Sequence, residues 1–398
     1  MTWCVVNMKM IKKNTNNINS LLLAVFLLLS SVTLPLNQFF ENGIAVWFFT
    51  IIIVITSLVV NGFRVNFQGV IILLIMFLLL GINYFFVSYK AYVFPIVMDF
   101  IKLGGVAFYL ATCRLDMRVF IKAWAWISVL SMMFWFLYLN EVISGNISYM
   151  FFGTQTTIMV IGFLLYHFSI KKNTFFIIFS IVGAGLVVTL GNRSSLLIIV
   201  IIYLMLLIYS FKKDSFIKSY FKGISFILLM LLATLNAEKI LILVNERLLA
   251  MDIHSYSLNK LILAFDNGIV ETSSGREELL GLGYEIAKSN NFMPKGVGYF
   301  QYITEGNYPH NIFIDVLVSF GFFGVILLLV LFGLGVYQYK KMNNELLKLI
   351  TLAFFVFVFI RLNFSSTFWI STEFWILLGL VFTPKQALNK NGNIHQKF

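Results

Sequence analysis

Arg193, Arg276 and His310 are the residues of this 398-residue chain best suited to chemistry. Each falls where a polar connection gives way to a run that reads as a helix. A helix start exposes unpaired N–H groups and the positive end of the peptide dipoles, so it attracts anions. An arginine in the first turn opposes that dipole. It is tolerated there if it binds an anion, and its fork grips two phosphate oxygens at once. A neutral imidazole accepts a proton from a hydroxyl at neutral pH. Together the three could surround a diphosphate and an attacking hydroxyl. Taken singly, each has a plainer reading. Arg276 is neutralised by Glu277 and Glu278, Arg193 reaches lipid headgroups from a span end, and His310 bonds a backbone carbonyl.

The local signals match these placements. Ser274-Gly275-Arg276-Glu277 has capping-box spacing, with Ser274 as N-cap and Glu277 at the third helical position. Asn192 can cap the helix that Arg193 opens, within Gly191-Asn192-Arg193-Ser194-Ser195. Pro309-His310-Asn311 opens a later span, where proline suits a first helical turn. Tyr284, Tyr299, Tyr302 and Tyr308 could stack on sugars, although tyrosines are also common at membrane interfaces. Arg361 and Glu373 line the same cleft or brace it, and Asp99 and Lys102, at i and i+3, should pair. No DxD pair occurs, so no divalent metal and no cofactor is called for. Cys4 and Cys113 fit neither a disulfide framework nor a metal site.

The elements that must hold these residues are apolar. The chain is 60% hydrophobic and 12% charged, with mean hydropathy +0.91, which excludes a water-soluble fold. Runs long enough to cross a bilayer as helices recur throughout, and no strand-like alternation suggests a barrel. The expectation is an all-α, polytopic membrane protein with about twelve spans, near 20–37, 44–60, 68–87, 92–113, 119–139, 154–170, 174–190, 194–211, 221–237, 312–337, 346–362 and 366–383. The first run follows Lys9, Lys12 and Lys13 without a convincing cleavage site, so it reads as an uncleaved span.

Most lysines and arginines fall in the connections on the N-terminal side. Only Lys90, Arg193 and Arg361 remain in the short connections opposite. This bias places both termini in the cytoplasm and explains the net charge of +12 without a nucleic-acid partner. One external connection, 245–311, is long and carries five basic against eight acidic residues. It has amphipathic segments near 245–265 and 276–289 and is expected to cap the helices. Three regions follow: an N-terminal bundle at 1–244, this loop at 245–311, and C-terminal helices with a tail at 312–398.

His310-Asn311, nine residues, Gly321, two residues and Gly324 resemble the signature of O-antigen ligases. The same pattern occurs in Wzy-type O-antigen and capsule polymerases of that superfamily. Gly275-Arg276, the Gly296-Val297-Gly298-Tyr299-Phe300 turn and Gly191-Asn192-Arg193-Ser194 are also similar to that family. The resemblance implies a glycosyltransferase of the membrane-embedded C type in the bacterial inner membrane. It would use an undecaprenyl-diphosphate-linked oligosaccharide as donor, a lipid-linked acceptor unit and surrounding lipids, with a chain-length regulator as a further partner. By that resemblance Arg193 and Arg276 hold the leaving diphosphate and His310 activates the acceptor hydroxyl. Asn311, Arg361, Tyr299 and Tyr308 contact substrate. Repeat-unit polymerisation is the first expectation. Ligation to lipid A–core is the alternative, and a lipid-linked oligosaccharide transporter is the third.

Overall fold

The computed structural model describes residues 2–38, 40, 43–139, 148–190, 192–211, 237–250, 258–259, 262–263 and 275–382. Among them the chain is helical, with no strand. The helices are α1 (Thr2–Leu27), α2 (Ile44–Val60), α3 (Phe67–Phe86), α4 (Lys90–Thr112), α5 (Met117–Leu139), α6 (Tyr149–Ile170) and α7 (Thr174–Leu190). They continue with α8 (Arg193–Phe211), α9 (Ala237–Leu249), α10 (Arg276–Ser289), α11 (Tyr299–Ile303), α12 (Ile312–Lys341), α13 (Glu345–Phe364) and α14 (Thr372–Phe382). Six helices among the described residues, α3, α4, α5, α6, α8 and α12, are long and apolar enough to cross a membrane. The shorter α2, α7 and α14 are apolar too.

A repeated device starts these helices: a short polar side chain just ahead of the apolar run. Asn66, Asp116, Ser148, Asn173, Asn192, Asn311 and Asn344 each accept a hydrogen bond from a first-turn N–H at 2.8–3.2 Å. Each such cap stabilises its helix by ~1 kcal/mol. Where no water competes, the rest of the backbone is satisfied internally.

At the centre lies α6, buried on most of its surface and packed against α5, α7 and α8. Small residues let its neighbours close in. A Cβ on Gly162 would come within 2.8 Å of the Trp124 ring, and Trp124 Nε1 donates to Ile158 O at 3.1 Å. The expected Asp99–Lys102 pair forms at 3.0 Å.

Several expectations need correction. The first predicted span, 20–37, covers only the C-terminal part of α1 and then a broken run, Leu29–Val32 and a 3-10 turn at Leu34–Gln38. The last predicted span, 366–383, begins too early. Residues 365–371 are not helical, and α14 starts at Thr372. Helix α9 runs through the 245 boundary assigned to the loop. The predicted span 221–237 lies outside the described residues except at its last position. So do Gly191, Ser274, most of 251–274 and the C-terminal tail.

The largest departure is within α12. Gly321 has φ 68° and ψ −165°, which breaks the helix into Ile312–Phe320 and a second half ending at Lys341. In an unbroken helix Val318 O would accept from Phe322 N–H. Here Phe322 N–H donates to Phe292 O (2.9 Å), and the freed Val318 and Ser319 carbonyls accept from Lys295 N–H (3.0 Å) and Gly296 N–H (3.2 Å). The segment after α10 is thereby tied into the break. Asn83 fastens its other side, pairing with both the N–H and the C=O of Val297 (2.9 and 3.0 Å). Tyr89 adds a hydrogen bond to Lys295 O at 2.6 Å.

Candidate functional site

The start of α10 forms the middle of the site. Its N-cap is Gly275 at φ 75°, which has no side chain to bond the first turn. This corrects the Ser274 capping box: Arg276 is the first helical residue and Glu277 the second. Unlike the Asn-capped starts, this turn has no N-cap side chain to occupy its N–H groups, which suits an anion. Helix α10 packs on α12, and this contact brings Arg276 to the segment before α12.

That segment is Tyr308-Pro309-His310, and Asn311 caps the helix with hydrogen bonds from Phe313 N–H (2.9 Å) and Ile314 N–H (3.2 Å). Pro309 therefore precedes the helix rather than standing in its first turn. His310 has φ 55°, a left-handed conformation that costs a non-glycine residue energy and recurs at functional sites. Its ring lies 4.5 Å from that of Tyr308, centroid to centroid. Nδ1 is buried and meets no hydrogen-bond partner among the described residues.

Electrostatics tie the groups together. Burial pulls His310 down to about 4, and the Arg276 charge pushes the same way. The imidazole is thus neutral at pH 7, with a lone pair to offer. Burial also lowers Arg276; Tyr149 and Tyr308 oppose that shift, and the Arg193 charge reinforces it. Tyr308 is raised by burial, while the charges of Arg361 and Arg276 draw it back. Arg193, Arg276 and Arg361 therefore all act on one small region that also holds Tyr149, Tyr308 and His310. Arg361 is balanced by Glu373, whereas Arg276, penalised by burial and by the Arg193 charge, would be favoured by an anionic ligand.

Arg193 opens α8 beside Asn192, whose Oδ1 accepts from Ser195 N–H (2.8 Å) and from Ser194 Oγ (2.9 Å). Ser194 Oγ lies 3.2 Å from Ser365 Oγ, which joins the start of α8 to the end of α13. Arg361, in the last turn of α13, pairs with the buried Glu373 at 2.5 Å. Glu373 also accepts from Ser371 Oγ at 3.0 Å.

Two expected substrate contacts are placed differently. Asn311 uses its oxygen for the cap and donates from Nδ2 to Asn363 (3.2 Å), so it holds the chain beside His310. Tyr299 lies on Tyr89 and under the Lys295 ammonium, with Tyr302 alongside. No contact joins it to the arginines among the described residues. Tyr284 packs on Phe292.

The sequence reading missed the residues beneath the cluster. Asp315 is buried and accepts from Thr367 Oγ1 at 2.6 Å. Ser365, Ser366, Thr367 and Ser371 are buried as well. The available signal was the polar run Ser365-Ser366-Thr367, which fits poorly inside a span. Among the described residues, no three His, Cys, Asp or Glu side chains gather as a metal site.

The chain matches no protein-family model, no curated protein and no solved structure. Function must be argued from the site.

Proposed function

We propose that the protein is a glycosyltransferase of the membrane-embedded C type that polymerises glycan repeat units. It moves a glycan from undecaprenyl diphosphate to the hydroxyl of a lipid-linked acceptor unit at the outer face of the bacterial inner membrane. This reading takes the chain as a twelve-span protein with both termini cytoplasmic. What supports it is His310, strained at φ 55°, its buried Nδ1 without a partner among the described residues and its ring 4.5 Å from Tyr308, together with the charges of Arg276 on His310, of Arg193 on Arg276 and of Arg361 on Tyr308.

In the reaction, the acceptor oxygen attacks the anomeric carbon as the bond to the diphosphate oxygen breaks, inverting the centre. The acceptor proton passes to His310. The electron pair leaves with the diphosphate, where Arg193, Arg276 and the open first turn of α10 stabilise the growing negative charge. Groups already oriented toward such charge need little reorganisation, and losing one donor costs roughly 3 kcal/mol. An imidazole near 4 is by itself a weak base. The bound diphosphate compensates the Arg276 charge and raises His310, so base strength develops when the donor is present.

Deleting the gene in a strain that makes smooth lipopolysaccharide tests the assignment. Core carrying a single repeat unit is the expected result. Bare core would move the acceptor to lipid A–core and make the protein a ligase. Normal chains with lipid-linked units held at the inner leaflet would replace the enzyme with a transporter.

A further inference from the structure

The stretch 365–371 that joins α13 to α14 is not helical. Where helices cross a membrane, such backbone survives only if protein or a water-filled cavity surrounds it. Here Ser365, Ser366, Thr367, Phe368, Trp369 and Ser371 are all buried. Side chains hold the stretch in place like a strap. Thr367 Oγ1 donates to Asp315 Oδ2 at 2.6 Å. Ser365 Oγ meets Ser194 Oγ at 3.2 Å, and Ser371 Oγ donates to Glu373 at 3.0 Å. Beneath them Trp375 Nε1 donates to Phe368 O at 3.0 Å, and the Trp369 ring lies edge-on to Phe100 of α4 and beside Phe320 of α12.

Each of the three hydroxyl ties leads to an element that carries a residue of the site. Ser194 follows Arg193 in α8. Glu373 holds Arg361. Asp315 lies one turn beyond Asn311, whose carbonyl accepts its N–H at 2.9 Å, and Asn311 follows His310. Asn311 itself donates to Asn363, so two rungs lace the start of α12 to the end of α13 and the strap. Both rungs span the same separation, 52 residues, and stand one helical turn apart on one face of α12.

We propose that Asp315 and Thr367 are positioning residues, whose hydrogen bond seats the strap and so sets the placement of His310 against Arg193 and Arg361. The inference rests on the glycosyl-transfer reading of the site. The pair acts through those three residues rather than on the substrate. A displacement of about 1 Å in a reacting group costs roughly 10²-fold in rate, so a strap tied to α8, α12 and the Arg361–Glu373 pair governs turnover.

Thr367→Val removes the donor and leaves a buried carboxylate unpaired, whereas Thr367→Ser keeps the bond. Asp315→Leu with Thr367→Val removes both partners, which restores most of the lost stability. In host membranes that supply their own lipid-linked units, ladder growth per molecule of protein is expected to fall ~10–100-fold in Thr367→Val and in the double variant. Thr367→Ser should restore it. Inorganic pyrophosphate should bind every variant with a similar Kd, because Arg276 and the first turn of α10 lie outside the strap. On isotope-labelled histidine, the His310 midpoint, held near 4 chiefly by burial, should rise in both valine-containing variants and stay put in Thr367→Ser. A double variant that regains Tm together with ladder growth would overturn the proposal and leave the bond a fold contact. An unmoved His310 midpoint in both valine-containing variants would overturn it as well. Loss of pyrophosphate binding in the double variant would do the same, because the site would then have collapsed rather than shifted. If the parent chain neither extends glycan nor binds pyrophosphate, the glycosyl-transfer reading fails, and the midpoint alone then sustains or overturns the strap's hold on His310.

Discussion

Gly321 and Pro294 meet backbone to backbone: a Cβ on Gly321 would lie 2.9 Å from the Pro294 nitrogen and 2.7 Å from Phe292 O. Together with φ 68° this leaves room for hydrogen alone. The same bend explains the second glycine of the motif. A Cβ on Gly324 would strike the Phe320 Cβ at 2.4 Å. Gly321→Ala is therefore expected to unseat the segment after α10. The strain alone costs about 1–3 kcal/mol, read as a lower Tm in detergent and loss of glycan ladders.

Removing a cation from the cluster should act on chemistry rather than insertion. Arg276→Ala and Arg193→Ala are each expected to lower turnover by roughly 10²–10³-fold, the usual cost of one lost electrostatic donor. Membrane levels should stay normal. Full-length ladders from either variant would remove that arginine from the mechanism.

His310 gives a pH signature. Its folded value, about 4, lies below the ordinary 6.5 because of burial and the Arg276 charge. Between those values the unfolded chain binds the extra proton, so stability rises with pH across this window and is lost as pH falls toward 4. Histidine NMR should show an imidazole still neutral at pH 5.5. Arg276→Ala should move its midpoint upward, since one cause of the depression is gone. An unchanged midpoint would separate the two residues.

Arg361 and Glu373 allow structure to be separated from function. Glu373→Ala leaves a partly buried guanidinium without its carboxylate, and breaking a buried pair typically costs about 3–5 kcal/mol. Replacing both, as Arg361→Met with Glu373→Leu, should recover most of that stability. If Arg361 also meets the diphosphate, the double variant regains its Tm and stays inactive. Recovered activity would confine Arg361 to bracing.

Exhaustive chelation should leave turnover intact if arginines alone neutralise the leaving group. A loss restored by magnesium would add a cation to the site.

Much of this molecule is legible in its sequence, because helix starts are local events. Asn192 just before an apolar run placed the start of α8 within one residue, the apolar run alone placed α13 equally well, and α6 begins at Tyr149, five residues before the expected 154. The errors arise where distant contacts decide. Gly275, rather than Ser274, caps α10, and Pro309 is displaced because Asn311 captures the first N–H groups of α12. The run after Ser365 reads as apolar on average, yet Ser194, Asp315 and Glu373 from three helices draw it out of helical form. The proximity of Arg193, Arg276 and His310 depends on packing between elements far apart in the chain. Only their shared placement at helix starts hinted at it. Tyr149 gave no local signal.

The three bonds that seat 292–296 in the break of α12 run from main chain to main chain. Because no side chain makes them, these bonds are indifferent to which residue supplies the main chain, whereas Val318 and Ser319 are still held by burial. Side-chain changes at the exposed Met293 can therefore accumulate without unseating the joint.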